Sequence, residues 1–358
     1  MTTPHLRLVL LGDGDSPHLL KWARALAAVP GLELWALSSR GFMPGFEACV
    51  PATRRLALQT QPKAAGGNGA LLMQMPRVAR WLKQIDAQWL HAHYLTSHGT
   101  LAWLAQRLFG VRGRLVSSAW GSDILVTPAR SAFMRWVTSQ VLRASALTTS
   151  DSQVMAQRMH ELGAGEVMVF PFGLEQLPAE PPAKDGQLFF ANRGLEPIYR
   201  PERVLQQFAA LAGRHGRLVV ANDGSLRPAL ERQAADLGLA GQVQFVGRLT
   251  SDEQSEWYAR ARWYLSLPQS DSVSVSVLEA MAHGCLPILS DLPANRELVR
   301  DGDNGLIVPN SGLLTTSDLD RVAPRADAVA RANRQWVQDH ALFQPSVDAF
   351  MARLRALS

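Results

Sequence analysis

The feature that most constrains the fold is a repeating succession of short, continuous apolar runs, most of them followed by an amphipathic stretch. LRLVLL (6–11), LELWALS (32–38), QWLHAH (88–93), RLVSSAW (114–120), ALTTS (146–150) and EVMVF (166–170) are such runs in the first half. HLLKWARALAAV (18–29), between the first two, is one of the helical stretches. A strand that is apolar on both sides of its pleat is buried on both faces, and such strands alternating with helices form a parallel sheet covered by helices. The pattern breaks at 173–186, GLEQLPAEPPAKDG, where Pro178, Pro181 and Pro182 among polar residues read as an interdomain linker. It resumes with QLFFAN (187–192), RLVVAN (217–222), QVQFVG (242–247), WYLSLP (263–268), LPILS (286–290) and GLIVP (305–309). The expected architecture is α/β: two Rossmann-like, doubly wound parallel-sheet domains at 1–172 and 187–335, facing a central cleft where ligands bind. Residues 336–358, helical in pattern, are expected to cross back and pack on the first domain.

At 358 residues, 47% hydrophobic and 19% charged, the chain has apolar material for two cores. No apolar run reaches the roughly 18–20 residues needed to span a bilayer. MTTPHLRLVLLGDG enters a strand-like run directly, without the basic and small-residue features of a signal peptide, so a cytoplasmic location is expected. Cys49 and Cys285 fall in different expected domains, and neither a disulfide nor a metal site is expected of them. Charge is uneven: residues 1–172 hold 17 Lys and Arg against 9 Asp and Glu, residues 173–358 hold 19 against 22. The basic half reads either as a solvated surface or as a face for an anionic membrane, at the inner side of the plasma membrane. Nucleic acid is not expected, because no binding motif accompanies the charge. Arg54, Arg55, Arg77, Arg80 and Lys83, around a glycine-rich loop at 66–69, are the candidate lipid contacts, with Trp81 as an interfacial anchor.

The densest chemistry lies in SDSVSVSVLEAMAHGCLPILSDLPANRELVRDGDNGLIVP (270–309). A strand ends near Pro268, a loop carries Asp271, and Ser272, Val273, Ser274, Val275 and Ser276 place backbone N–H groups at a helix start. That is a seat for a diphosphate that needs no metal. Glu279, one turn inside, is placed to accept hydrogen bonds from a ribose diol.

This segment resembles glycosyltransferase family 4, whose members carry two acids separated by seven intervening residues, the second within a phrase like EAMA-x-G; Asp271 and Glu279 stand there. The resemblance extends through NDGSLRPALERQAADLGLAGQVQFVGRLTSDEQSEWYARARWYLSL (222–267), HAHY (91–94), SAWGSDIL (118–125) and FPFGLE (170–175). It implies a GT-B fold and a retaining, metal-independent transfer from a nucleotide sugar to a glycan or lipid-linked acceptor, in bacterial cell-surface polysaccharide or glycolipid synthesis. No cofactor beyond that co-substrate is implied. NRGLEPIYRPERVL (192–205) resembles the donor loop, which makes Arg193 the diphosphate contact. Asp271 falls beside the donor sugar or acceptor hydroxyl, and Val246, Gly247 and Arg248 fall where the family's backbone meets the base. Three positions depart from the family. Tyr199 replaces a lysine, leaving Arg200 to supply the second charge; Asp271 replaces a glutamate; Trp120 replaces a histidine that touches the reacting groups.

On the acceptor side the expected contacts are Gly14, keeping the cleft floor open, with His18, His93, Trp120 and Asp123. Asp123 reads equally as a helix cap, and Asp13 and Asp15 read as caps of the helix near 18. His91, His93 and His98 lack an accompanying carboxylate or cysteine at ligand spacing, so no metal is expected. No nucleophile with an adjacent base stands out, so no covalent intermediate is assigned; with the retention that the resemblance implies, the expected chemistry is same-face attack as the diphosphate leaves, a phosphate oxygen taking the proton. A catalytically degenerate sugar-binding protein or a sugar-nucleotide epimerase would share this two-domain shape.

Overall fold

The structure, a computed structural model, describes residues 6–60, 69–213 and 215–358, so the glycine-rich stretch at 66–68 and the first five residues lie outside it. The chain divides into two compact units, residues 1–170 with 343–358 and residues 171–342.

Unit 1 is built on a seven-stranded sheet of β1 (Leu6–Gly12), β2 (Leu32–Ser38), β3 (Arg55–Ala57), β4 (Trp89–His93), β5 (Arg114–Ser118), β6 (Ser145–Ser150) and β7 (Val167–Val169). The order is β3-β2-β1-β4-β5-β6-β7, with every pairing parallel. Crossovers run one way from β1 and the other way from β4, so the direction reverses between them, Leu8 lying opposite Trp89. β4 is buried along its whole length, as its unbroken apolar pattern requires. The first helix, Pro17–Ala27, starts where Ser16 accepts from the His18 N–H and Pro17 supplies a preset φ. Ser16 is therefore its cap, and Asp13 and Asp15 are not. The last helix, Phe343–Leu357, buries Phe343, Val347, Phe350, Met351 and Leu354. Phe343 and Phe350 meet Trp22 edge-on at 5.0 and 5.3 Å, and Arg353 grips both Glu166 oxygens at 2.6 Å. Burying each ring is worth roughly 1.5–3 kcal/mol.

Unit 2 is built on β8 (Asp185–Ala191), β9 (Arg217–Ala221), β10 (Val243–Gly247), β11 (Ala261–Ser266), β12 (Leu286–Ser290) and β13 (Leu306–Val308). All pairs are parallel in the order β10-β9-β8-β11-β12-β13, so the reversal falls between β8 and β11.

Two expected boundaries move. Helix Ala326–His340 belongs to unit 2, because Val329, Ala330 and Val337 pack into that unit's cores; only Phe343–Leu357 joins unit 1, not all of 336–358. The stretch 173–186 is not a free linker. The Leu174 N–H donates to the Ala341 carbonyl at 2.8 Å, and Arg334 donates to the Pro178 carbonyl at 2.6 Å. A Cβ on Gly173 would sit 1.9 Å from the Ala341 oxygen, so only glycine permits that approach.

Candidate functional site

In open parallel sheets, ligands gather where the strand order reverses, at the carboxyl ends of the two flanking strands. In unit 2 those ends are Ala191 of β8, followed by Asn192 and Arg193, and Ser266 of β11, followed by the loop that carries Asp271. Residues separated by 78 positions in sequence meet there: Arg193 Nη2 donates to Asp271 Oδ2 at 2.7 Å. Its Nη1 donates to Ser274 Oγ and to Ser276 Oγ, the latter at 3.2 Å, and its guanidinium lies 4.5 Å over the Tyr199 ring. Burial pushes the Asp271 carboxyl up, opposed by Arg193 and by the Ser272 N–H. Both side chains keep an open side, 20% and 23% exposed.

The helix that follows, Val275–Ala282, has Ser274 as its N-cap. Its first N–H groups, at Val275 and Ser276, have no acceptor inside the helix and give its start a partial positive charge. In the expected seat at 272–276 the Ser272 N–H is held by Asp271 Oδ1 at 3.1 Å, and the Val273 side chain lies in the core. Glu279, half-buried, accepts from the Tyr258 hydroxyl at 3.2 Å. That hydroxyl accepts from Asn192 Nδ2 at 2.7 Å, while Asn192 Oδ1 accepts from Tyr264 at 2.7 Å. Burial pushes the Tyr264 hydroxyl up to about 12 and raises the Tyr258 hydroxyl as well, so both remain donors. The sequence reading missed Asn192, Tyr258 and Tyr264; the one available signal was a polar residue ending an apolar strand immediately before Arg193.

Arg200 does not provide a second free cation. Its Nε and Nη2 donate to the carbonyls of Leu267 and Pro268, 3.1 and 2.8 Å away, so it braces the start of the Asp271 loop. Tyr199, where the family has lysine, instead carries the Arg193 guanidinium on its face. Val246, Gly247 and Arg248 lie at the carboxyl end of β10, two strand spacings, about 10 Å, from β8. An apolar cavity lined by Arg193, Leu195, Tyr199, Val220, Leu230 and Phe245 extends between Arg193 and β10.

The reversal in unit 1 gathers most of the residues expected on the acceptor side. His93 ends β4 and is buried; its Nδ1 accepts from Trp120 Nε1 at 3.2 Å. In the neutral ring the proton is therefore on Nε2, a buried nitrogen with no hydrogen-bond partner among the described residues. Burial and the neighbouring histidines hold His93 well below the ordinary range, so it stays neutral and offers a hydrogen bond. Trp120 thus fixes the tautomer, and His18 stacks on its ring at 5.0 Å. Tyr94, in the left-handed region at φ +65°, also stacks on Trp120, at 5.9 Å, and opens a turn of π-helix; this strained residue was also missed.

Two acceptor-side residues have other duties. The Asp123 oxygens accept from the backbone N–H groups of Trp120 and Leu95 at 2.9 and 3.0 Å, with the side chain buried, so the carboxylate joins two loops and does not face a sugar. Gly14 leaves no open floor, since a Cβ there would lie 2.5 Å from Phe42 and 2.6 Å from the Gly41 oxygen. His91 lies on the core side of β4, bonded to Ser118 Oγ at 2.7 Å. Among the described residues, no group of three or more His, Cys, Asp or Glu is placed to hold a metal ion.

Two parallel-sheet units, each with a polar cluster at its strand reversal, are the components of a GT-B glycosyltransferase. The family model described as "Glycosyl transferases group 1" matches residues 187–318, and "Glycosyl transferase 4-like" matches residues 7–152. The chain belongs to glycosyltransferase family 4. Among similar proteins, an N-acetyl-alpha-D-glucosaminyl L-malate synthase of Bacillus anthracis is 25% identical over 66% of this chain and 65% of its own. A GDP-mannose:cellobiosyl-diphosphopolyprenol alpha-mannosyltransferase of Xanthomonas campestris is 27% identical over 40% of this chain and 33% of its own. These matches thus span less than two thirds of either relative. Among solved structures, a sucrose-phosphate synthase of Thermosynechococcus elongatus superposes with a TM-score of 0.81 at 15% identity, covering 99% of this chain and 100% of that one. HepE of Anabaena in complex with UDP gives 0.73 at 14% identity over the same shares. At such identities the likeness is one of fold.

Proposed function

We propose that the chain moves a sugar from a nucleoside-diphosphate sugar to a hydroxyl of a glycan or lipid-linked acceptor, with retention of configuration and without a metal ion. The observation that carries this reading is Arg193 held between Asp271, Tyr199 and the start of helix Val275–Ala282 at the strand reversal of unit 2. A guanidinium and free helix N–H groups are donors suited to a diphosphate, and they stabilise the charge that grows as it leaves. Glu279 takes the ribose hydroxyls. The bond between the anomeric carbon and the phosphate oxygen breaks as the acceptor oxygen bonds to the same face. The acceptor's proton passes to the departing phosphate. In unit 1, His93 Nε2–H and the Trp120 ring are the proposed acceptor contacts, one as a hydrogen-bond donor and one as a stacking face.

The reading of retention draws support from relatives named for alpha-linked products, which an alpha-linked nucleotide sugar yields only by retention. A role in cell-surface glycan synthesis draws support from the polyprenol-linked substrate in one relative's name. Work at the cytoplasmic side of a membrane is part of the proposal; among the described residues, no helix is long and apolar enough to cross one. The test is calorimetric titration with UDP and GDP, with Glu279→Ala expected to weaken the bound nucleotide by about 1–3 kcal/mol. Unchanged affinity in a folded variant removes Glu279 from the site. Release of nucleoside diphosphate only when an acceptor is added identifies transfer, as distinct from epimerisation or binding alone.

A further inference from the structure

Unit 1 carries a surface that neither cluster uses. Helix Ala132–Ala144 buries Val137, Thr138, Val141 and Leu142 and leaves Phe133 (68% exposed) and Trp136 (53%) in solvent. Their rings stack at 6.2 Å, and Trp136 meets Trp103 of the neighbouring helix Thr100–Phe109 edge-on at 6.1 Å. Leu108, near the end of that helix, is 68% exposed. Large apolar side chains gathered in water mark an interaction surface.

The charge on these elements has one sign. Between Asp86 and Asp151 the sequence holds Arg107, Arg112, Arg114, Arg130, Arg135 and Arg143 against a single carboxylate, Asp123. That carboxylate is buried, with its oxygens on backbone N–H groups. Arg107, Arg130, Arg135 and Arg143 are all exposed, and each lies on one of the two helices or on the short turn Thr127–Arg130 just before the second.

We infer that the face formed by helices Thr100–Phe109 and Ala132–Ala144 docks on a lipid bilayer containing anionic lipid. Such a surface supplies both of the partners this face lacks: phosphate charge for the guanidinium groups and, a few ångströms deeper, an apolar layer for Phe133 and Trp136. A second copy of this chain would bring the same positive charge against itself. The face is a different one from that expected from sequence, where Trp81 packs edge-on against Trp35 at 5.9 Å, Arg54 lies over Trp35 and pairs with Glu33, and Arg55 lies over Phe42, while Arg77, Arg80 and Lys83 are exposed on helix Met75–Ile85. The inference gives a location to the membrane contact proposed above, but it rests on this face and not on the transfer chemistry.

The experiment is flotation of the full chain with vesicles of phosphatidylcholine, with and without phosphatidylglycerol, at low and high salt. Binding is expected to the anionic vesicles alone and to fall as salt rises. Arg130→Glu and Arg135→Glu should each weaken partitioning about fivefold or more, and Phe133→Ser with Trp136→Ser about tenfold or more. Melting temperature and nucleotide affinity without vesicles are measured on the same variants. They show that the variants are folded and read the transferase proposal separately, so either proposal can fail alone. Equal binding to neutral and anionic vesicles, or variants that bind like the parent, would overturn the inference. So would a dimer of the parent that Trp136→Ser disperses, which would make this face an interface between copies.

Discussion

Lowering the pH from 7 to 5 is expected to weaken unit 1 by about 2 kcal/mol through His91 alone. His91 is fully buried on β4 between Trp22 and Phe350, and burial pushes its pKa from 6.5 down to about 3. A histidine whose folded pKa lies below its unfolded value adds stability that is complete above the unfolded pKa and is lost as pH falls toward the folded one. At pH 5 the unfolded chain has gained a proton about 1.5 units below its pKa while the folded chain has not; at about 1.36 kcal/mol per unit that gives the figure above. Burial also lowers His93 and His98, so they act in the same direction. The perturbation is His91→Gln, which removes the titrating ring and keeps a neutral group opposite Ser118. The assay is urea unfolding of parent and variant at both pH values, followed by tryptophan fluorescence, since Trp22 lies 4.8 Å from His91. The variant should lose about 2 kcal/mol less than the parent on acidification. Equal losses would refute the assignment of that acid sensitivity to His91.

Arg193→Ala should weaken nucleotide binding by about 2 kcal/mol, roughly thirtyfold, in calorimetric titration. Arg200→Ala should act first on melting temperature, because its bonds go to the Leu267 and Pro268 carbonyls; the reverse ranking would reinstate Arg200 as a phosphate contact. Asp123→Ala leaves two buried N–H groups unpaired and should cost about 1–3 kcal/mol of stability, read by thermal unfolding against the parent. Turnover should survive EDTA; its complete loss, restored by manganese or magnesium, would contradict the metal-free diphosphate seat.

Twelve of the strands were legible because each carries a run of apolar residues, largely buried in all but the edge strands β7 and β10. β3, Arg55–Ala57, was not: it holds only two apolar residues, too short a run to read as a strand. The meeting of Arg193 with Asp271 was foreseeable in outline, since both follow strands that flank the reversal. The partners of Arg200 were not, because a charge in a loop does not say whether a phosphate or a carbonyl will face it. Tyr258 reaches Asn192 across 66 positions, and no local spacing encodes that bond. Helices Ala326–His340 and Phe343–Leu357 are both amphipathic, and the pattern does not state which sheet each covers; hence the shift of the boundary from 336 to 343.

The return of the last helix to unit 1 bears on how the protein is made. A ribosome delivers the whole of residues 171–342 before Phe343–Leu357 emerges. Until then the seven-stranded sheet is present without Phe343 and Phe350, and the surface around Trp22 and His91 that they cover lies open. A nascent chain that tends to fold from its N-terminus therefore waits with an uncovered aromatic hollow while a second, continuous unit assembles first. Unit 2 is the piece suited to early, independent folding, and unit 1, though it begins the chain, is the one completed last. Residues 1–170 expressed alone should expose that hollow and aggregate, whereas adding Phe343–Leu357 as a separate peptide should restore solubility.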